Sequence, residues 1–453
     1  MVAFHVGQMN YTYKNIWLIT YPVMMSVLME QLLNITDAIF LGHVGETELG
    51  ASAIAGMYYL VTYIIGFGFC IGLQVVIARR NGEKNYPDTG KTFFQGLWFL
   101  CGLAVTLLLL SKLFAPSLMQ AFITSDEIRT AVMKYVDGRS IGLLFAFPAL
   151  ALRTFFVGTT QTRILSINAF IMVAANVGLN YLLIFGKAGF PTLGIAGAAL
   201  ASTLSELISL GILIIYVLLK IDRQKYGLHP VFDSGTLWKV LQVSVWSMMH
   251  SFLGMAPWFL FFVSVEHLGQ SQLAIANIIR SISTLLFVIV SSFASVTASL
   301  VSNLIGARQQ EEVRPLCARI IRLGYGIGLP LIILALLFHK SIIGIYTADE
   351  NLIDQAFIPY IVMLSNYFLA MPSCTYLNAV AGTGATRRAF VFQIVTLVFY
   401  LMYLHLLNTS NKPPLAVYCT VEHLFVTVLL VLSITYINSN RWLNKIQYDT
   451  RKQ

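Results

Sequence analysis

The chain repeats itself at almost half its length. Gly45 returns as Gly269 and Leu49 as Leu273. Gly82, Pro148 and Gly158 return as Gly306, Pro372 and Gly382, and Thr162-Arg163 returns as Thr386-Arg387. The difference between 45 and 269, 224 residues, holds through loops and helix ends alike. A constant offset of this kind calls for two homologous units in parallel order. One position breaks the correspondence: Asp37 has Phe261 as its partner.

The composition says what those units are made of. The chain is 57% hydrophobic and 11% charged, with mean hydropathy +0.75. Soluble chains carry about 25% charged residues. Apolar stretches near twenty residues recur from end to end, each long enough for a bilayer core of about 30 Å. They fall near 17–41, 51–77, 93–115, 134–158, 164–186, 194–219, 240–265, 273–299, 318–338, 357–381, 389–407 and 414–437. The expected fold is an all-α integral membrane protein of about twelve transmembrane helices. They form two six-helix lobes, 1–219 and 240–440, related by a parallel pseudo-twofold repeat. A polar, basic segment, 220–239, links them, and a tail follows at 441–453. The opening MVAFHVGQMNYTYKN has no basic stretch before an apolar run, so a cleaved leader is not expected.

The net charge of +9 is a matter of topology rather than a nucleic-acid footprint. With the N-terminus inside and twelve spans, the inner loops hold 20 Lys and Arg residues. The outer segments hold seven: Lys112, Arg129, Lys134, Arg139, Lys187, Lys340 and Lys412. Such asymmetry places both termini in the cytoplasm. Arg153 and Arg280 fall inside spans. The five cysteines lie in or beside apolar spans, with neither metal-ligand nor disulfide spacing. No GxxxxGK[ST], GxSxG, HExxH or CxxC pattern occurs, so neither catalysis nor ATP-driven work is expected, and no cofactor.

Local patterns add detail. Thr124 or Ser125 before Asp126-Glu127 reads as a helix N-cap, echoed by Tyr346-Thr347-Ala348-Asp349-Glu350, and predicts a short interfacial helix in each half. Small residues in Gly194-Ile195-Ala196-Gly197-Ala198-Ala199 predict close helix contact. Pro148 and Pro372 predict a paired kink.

Ionisable residues inside spans are costly and point to function. Glu30, Asp37, Glu206, Glu266 and Glu422 qualify, Glu266 at a span end. Glu30 and Asp37 are two helical turns apart, and Asn34 lies between them on the same stripe. That face must look at a polar cavity or at polar partners. Asn176 and Asn180 share a face of the fifth span and could either bond a first-span carboxylate or offer oxygens to a cation. Glu206 and Glu422 occupy related places on the sixth and twelfth spans, with Arg153 and Arg280 as candidate partners. His250, His405 and His423 read as satisfied polar residues.

Taken together these patterns resemble the MATE (multidrug and toxic compound extrusion) family. The resemblance is carried by Asn34-Ile35-Thr36-Asp37, Gly42-His43-Val44-Gly45 and Leu49-Gly50-Ala51-Ser52-Ala53. It continues in Asn176-Val177-Gly178-Leu179-Asn180, the Gly189–Ala199 run, Gly158-Thr159-Thr160-Gln161 and Gly382-Thr383-Gly384. It implies a V-shaped two-lobe antiporter that exports hydrophobic or cationic drugs and metabolites in exchange for H⁺ or Na⁺. Asp37 would belong to the coupling site with Asn176 and Asn180, which are also a possible Na⁺ set. Glu30 corresponds to a cavity residue of DinF-like members. Many relatives carry aspartate where this chain has Asn180, which leaves Glu30 or Glu206 to replace that carboxylate. Ser202 or Thr203 would be the sixth-span hydroxyl, and Asn34 and Glu206 would line the substrate cavity. NorM-like members place acids on the seventh and tenth spans; here the tenth-span place falls near Cys374, and the seventh span has no acid before Glu266. Coupling in the N-terminal lobe, by protons rather than Na⁺, is therefore expected. The resemblance implies a monomer in the plasma membrane, as in a bacterial inner membrane, with a small-molecule substrate and the lipid bilayer as partners. A lipid-linked precursor flippase of the same superfamily is the alternative, and would need several cavity cations for pyrophosphate. A major-facilitator transporter, an intramembrane enzyme and a channel fit the patterns less well.

Overall fold

The computed structural model describes residues 11–410, 413–439 and 442–443. Lys412, Arg441 and most of the tail 441–453 lie outside the described residues. The elements are helices: α1 Tyr13–Gly42, α2 Glu46–Gly82, α3 Tyr86–Phe122, α4 Asp126–Gly158, α5 Arg163–Phe185 and α6 Ile195–Lys220. There follow α7 Ser234–Leu253, α8 Ala256–Glu266, α9 Gln270–Gly306, α10 Val313–Leu337 and the short α11 His339–Gly344. The last four are α12 Glu350–Ser365, α13 Tyr367–Gly382, α14 Thr386–Thr409 and α15 Leu415–Asn438. Among the described residues, twelve helical segments are long and apolar enough to cross a membrane, with α7–α8 and α12–α13 each counting as one.

The repeat is visible at the level of side-chain packing. α2 and α9 are both 37 residues long and match end for end at the 224-residue offset. Gly158 closes α4, and a Cβ there would meet Ile77 Cγ2 at 2.6 Å and Gln74 O at 3.4 Å. Gly382 closes α13, and its Cβ would meet Ala298 O at 2.7 Å and the Val301 side chain at 3.0 Å. Ile77 and Val301, like Gln74 and Ala298, stand 224 residues apart. Both glycines therefore let a central helix touch its neighbour at the same spot. In the first unit α4 packs against α2, α3 and α6; in the second α13 packs against α9, α10, α14 and α15.

Contacts gather the chain into two compact units, Tyr21–Met248 and the remainder. The start of α1 belongs with the second unit, where Arg319 Nη1 donates to Tyr11 O at 3.1 Å. The segment read as a linker over 220–239 is shorter than expected, because α7 already begins at Ser234. It is tied to α3. Gln95 Nε2 donates to Val231 O at 2.7 Å, and Asp233 N donates to Gln95 Oε1 at 2.9 Å. The Lys91 ammonium, 2.7 Å from Asp233, and the Thr236 hydroxyl hold the Asp233 carboxyl well below the usual carboxylate range.

Three local expectations need correction. The Ser125 cap is present, its side chain accepting from Ile128 N at 3.4 Å, but it opens the long α4 rather than a short interfacial helix. In the second half the cap is Asp349 at the start of α12. The proline pair is not symmetric: α4 runs unbroken through Pro148, whereas a break at Asn366 precedes Pro372. Proline at 372 leaves the carbonyl of Phe368 without a helical donor, and Tyr325 Oη donates to that carbonyl at 2.5 Å. The seventh span is also interrupted, at Gly254–Met255, just before Pro257 at the start of α8. The small-residue run does pack closely: a Cβ on Gly197 would lie 2.5 Å from Leu183 O.

Gly158→Ala and Gly382→Ala should each destabilise by about 1–3 kcal/mol through overpacking, read as a lower melting temperature in detergent. Gly326→Ala, with nothing within 4 Å of the added methyl, should not lower it.

Candidate functional site

Asp37 is set deep in the first unit, 8% exposed, near the C-terminal end of α1. Below it α1, α2, α4, α5 and α6 close on a tight core that includes Leu41, Ala51, Val132, Ile184 and Ala199. A carboxylate there has no bulk water to solvate it, so the protein must supply donors. Two helices do so. Asn180 Nδ2 of α5 donates to Asp37 Oδ1 at 2.5 Å, and Ser202 Oγ of α6 donates to Oδ2 at 2.8 Å. Asn176 Nδ2 donates to Ser202 Oγ at 3.2 Å, and Asn180 Nδ2 also reaches Asn176 Oδ1 at 3.0 Å. The four side chains thus form a closed ring. Asn176 and Asn180 are fully buried and Ser202 is 1% exposed. Hydrogen bonds to a charged group are worth about 1.5–3 kcal/mol each, enough to hold the carboxylate in this place.

The ring opens onto a cavity of about 850 Å³ inside the first unit. Asp37, Asn34 and Glu30 line it from α1, as their shared stripe predicted. Ser202 and Glu206 line it from α6, one turn apart. The rest of its wall is mostly apolar and aromatic, with Met57, Leu60, Tyr59, Tyr63 and Met172, and carries the charged Glu46, Arg139 and Arg153. Mostly apolar walls with a few placed polar groups suit a small organic ligand.

Of the other acids on the cavity wall, Glu46 stands at the start of α2, and Glu30 and Glu206 are paired with arginines. Glu30 is bonded to Arg153 Nη1. Glu206 Oε1 lies 2.8 Å from Arg139 Nη1 and accepts from Tyr59 Oη at 3.1 Å. Arg139 also stacks over the Tyr59 ring, 4.0 Å from its centroid. This corrects two expectations. The partner of Glu206 is Arg139, not Arg153, and Arg139 lies on the buried face of α4 rather than in an outer segment. Charge asymmetry alone carries no helical phase, and the five residues from Lys134 to Arg139 take Arg139 more than a full turn deeper along α4. Thr203 is the third correction: its hydroxyl donates to Gly138 O at 3.0 Å, and it does not line the cavity.

The second unit has no counterpart of the ring. At the 224-residue offset, Phe261, Tyr400 and Leu404 stand for Asp37, Asn176 and Asn180. All three are buried, Phe261 and Tyr400 completely. Tyr400 Oη donates to Pro257 O at 2.9 Å. Glu422 is held by Arg280 Nη1 at 3.1 Å, and Arg280 lies over the rings of Phe261, Phe262 and Trp258. His423 Nε2 and Ser365 Oγ are 2.9 Å apart, but His423 Nδ1 and His250 Nε2 are buried without a hydrogen-bond partner, so these two histidines are not fully satisfied as expected. Among the described residues no group of three or more His, Cys, Asp or Glu side chains could hold a metal ion.

Comparison with known proteins agrees with this architecture. The "Probable multidrug resistance protein NorM" of Photorhabdus laumondii is 24% identical over 366 residues, covering 78% of this chain and 79% of its own length. The "Multidrug resistance protein NorM" of Vibrio vulnificus is 22% identical over 374 residues, covering 81% and 79%. A MOP superfamily transporter from Pyrococcus furiosus has the same fold, with a TM-score of 0.84 and 17% identity over 96% of both chains. An outward-facing multidrug resistance MATE family transporter superposes with a TM-score of 0.85, also at 17% identity and 96% coverage of both. The family model MatE matches residues 22–182 and 247–404, one stretch in each half and well over half of the chain. With that match across both halves, this chain belongs to the MatE family of membrane transporters.

Proposed function

We propose that the protein is a secondary antiporter that exports hydrophobic or cationic small molecules and drives export by loading an ion, H⁺ or Na⁺, at Asp37. The observation that carries this reading is the ring around Asp37. Asp37 has no cationic partner at contact distance, and hydrogen bonds tie it from α1 to both α5 and α6. Changing its charge changes what those helices hold in common. An ion can shift a conformational equilibrium only through different affinity for the two states. A protonated Asp37 loses its need for two donors, which gives that difference. Substrate then leaves the cavity by alternating exposure to the two sides of the membrane.

The name of the NorM relatives, multidrug resistance protein, supports the substrate class. The cavity supports it as well, since aromatic and apolar walls with an excess acid suit lipophilic cations. A flippase for pyrophosphate-linked lipids is less well supported: Arg139 and Arg153 are the cavity's arginines, and each is neutralised by its own glutamate. The DinF-like pattern rests on Glu30 and Asp37 sharing a face, while the relatives compared carry NorM names. The charge asymmetry supports cytoplasmic termini, and the bacterial relatives support an inner-membrane location, with the protein acting as a monomer.

In proteoliposomes, wild-type protein should move ethidium against an imposed pH gradient. Asp37→Asn should retain a monodisperse profile in size-exclusion chromatography and lose at least 90% of that transport, on the order of the loss expected for an essential protonation step. Gradient-driven ethidium movement by Asp37→Asn at the wild-type rate would overturn the assignment.

A further inference from the structure

The ring around Asp37 satisfies an anion and leaves little for a metal ion. Both carboxylate oxygens already accept, from Asn180 Nδ2 at 2.5 Å and Ser202 Oγ at 2.8 Å. Asn176 Oδ1 accepts from Asn180 Nδ2 at 3.0 Å. A hard cation needs several oxygen ligands and is repelled by N–H and O–H hydrogens. Within the ring, Asn180 Oδ1 is the buried oxygen with no partner. The Na⁺ set considered from the sequence, Asp37 with Asn176 and Asn180, therefore does not fit the arrangement.

A fixed cation stands beside it. The Arg139 side chain is 11% exposed and lines the same cavity. Four ionisable groups face it: Glu206 from α6, Tyr59 from α2, Tyr135 from its own helix and, through space, Asp37 from α1. α5 contributes only the uncharged Asn176 and Asn180. Glu30 and Arg153, the other charged pair of the cavity, engage each other. Glu46, at the start of α2, is a further acid of the same cavity, and Asp37 and Glu206 are the carboxylates that share the Arg139 guanidinium.

We propose that Arg139 is a positioning residue for coupling: an internal counter-cation, held by Glu206, that takes the electrostatic place of a metal ion beside Asp37 and leaves the proton as the ion exchanged. This rests on Asp37 being the coupling carboxylate. With Asp37 ionised, the guanidinium is drawn toward both acids. With Asp37 protonated, it is held by Glu206 alone. Glu206 Oε2 is buried and without a hydrogen-bond partner, so it can accept the guanidinium when Arg139 closes fully onto Glu206. Proton loading on α1 is then passed to α4 and α6 through a change in what Arg139 holds. The sequence signal is one buried arginine, since Asn180 has removed the second acid that could have shared a metal ion.

The test pairs ethidium efflux from proteoliposomes, measured across pH, with radioactive sodium binding to the purified full-length protein. Wild type should show no saturable sodium binding and no stimulation by a sodium gradient. Arg139→Gln removes the counter-cation, so the pH of half-maximal efflux should rise by about one unit. Glu206→Gln frees Arg139 for Asp37 and should move the midpoint to lower pH, while Arg139→Lys should restore it. Glu206→Gln keeps the shape of the side chain and remains readable even where Arg139→Gln does not fold. Saturable sodium binding by the wild type, or midpoints that stay put or move the same way in both variants, would overturn the proposal. Gradient-driven efflux by Asp37→Asn would instead overturn the reading beneath it.

Discussion

A carboxylate in a membrane span must be solvated by the protein that buries it, and the first unit is organised around that need at Asp37. Placing an acid mid-span costs about 2.5–3.5 kcal/mol on insertion scales. The ring of Asn180, Asn176 and Ser202 offsets this by aiming donors from α5 and α6 at a residue of α1. No two of these helices are held at this point by apolar packing alone. The polar ring is therefore a structural tie, and under the proposed function it is also a switch, because a proton on Asp37 alters the two bonds that Asn180 and Ser202 make to it. A purely structural tie would use neutral groups, which are cheaper to bury.

The duplicated architecture supplies the frame, and the departure from symmetry supplies the chemistry. Gly158 and Gly382 make the same contact in the two units, on residues that are themselves 224 positions apart. The frame has been kept to the level of single side chains. At the position of Asp37 it has not. Phe261 and Tyr400 fill with rings the place where the first unit keeps its acid and amide. What polar chemistry survives in the second unit, Glu422 with Arg280, is neutralised and boxed by aromatic rings. One unit therefore carries an acid at this position and the other does not.

Much of this was legible in the chain itself. The spans, the repeat and the shared face of Glu30, Asn34 and Asp37 follow from apolar runs and helical spacing, which are local properties. The pairing of Asp37 with Asn180 was accessible because spacing places the two asparagines on one face. The partner of Glu206 was not. Arg139 lies close in sequence to Lys134, and only the phase of α4 turns it inward. Thr203 was equally opaque, since it neighbours Ser202 but points about 100° away around the helix and bonds Gly138 O instead. The break at Asn366 was not legible either: Pro148 and Pro372 are equivalent in sequence, yet α4 runs unbroken through the first while a break precedes the second. Helix content is written locally, whereas pairings across helices are written in rotation and depth.

The central claim is that substrate and ion compete through the charge on Asp37. By linkage, a cation that binds the ionised form must release protons on binding. The direct measurement is proton release from purified protein in weakly buffered detergent, followed with a pH indicator as tetraphenylphosphonium is added. Wild type should release about one proton per cation bound, and Asp37→Asn should bind without release. Equal release from both proteins would contradict the account.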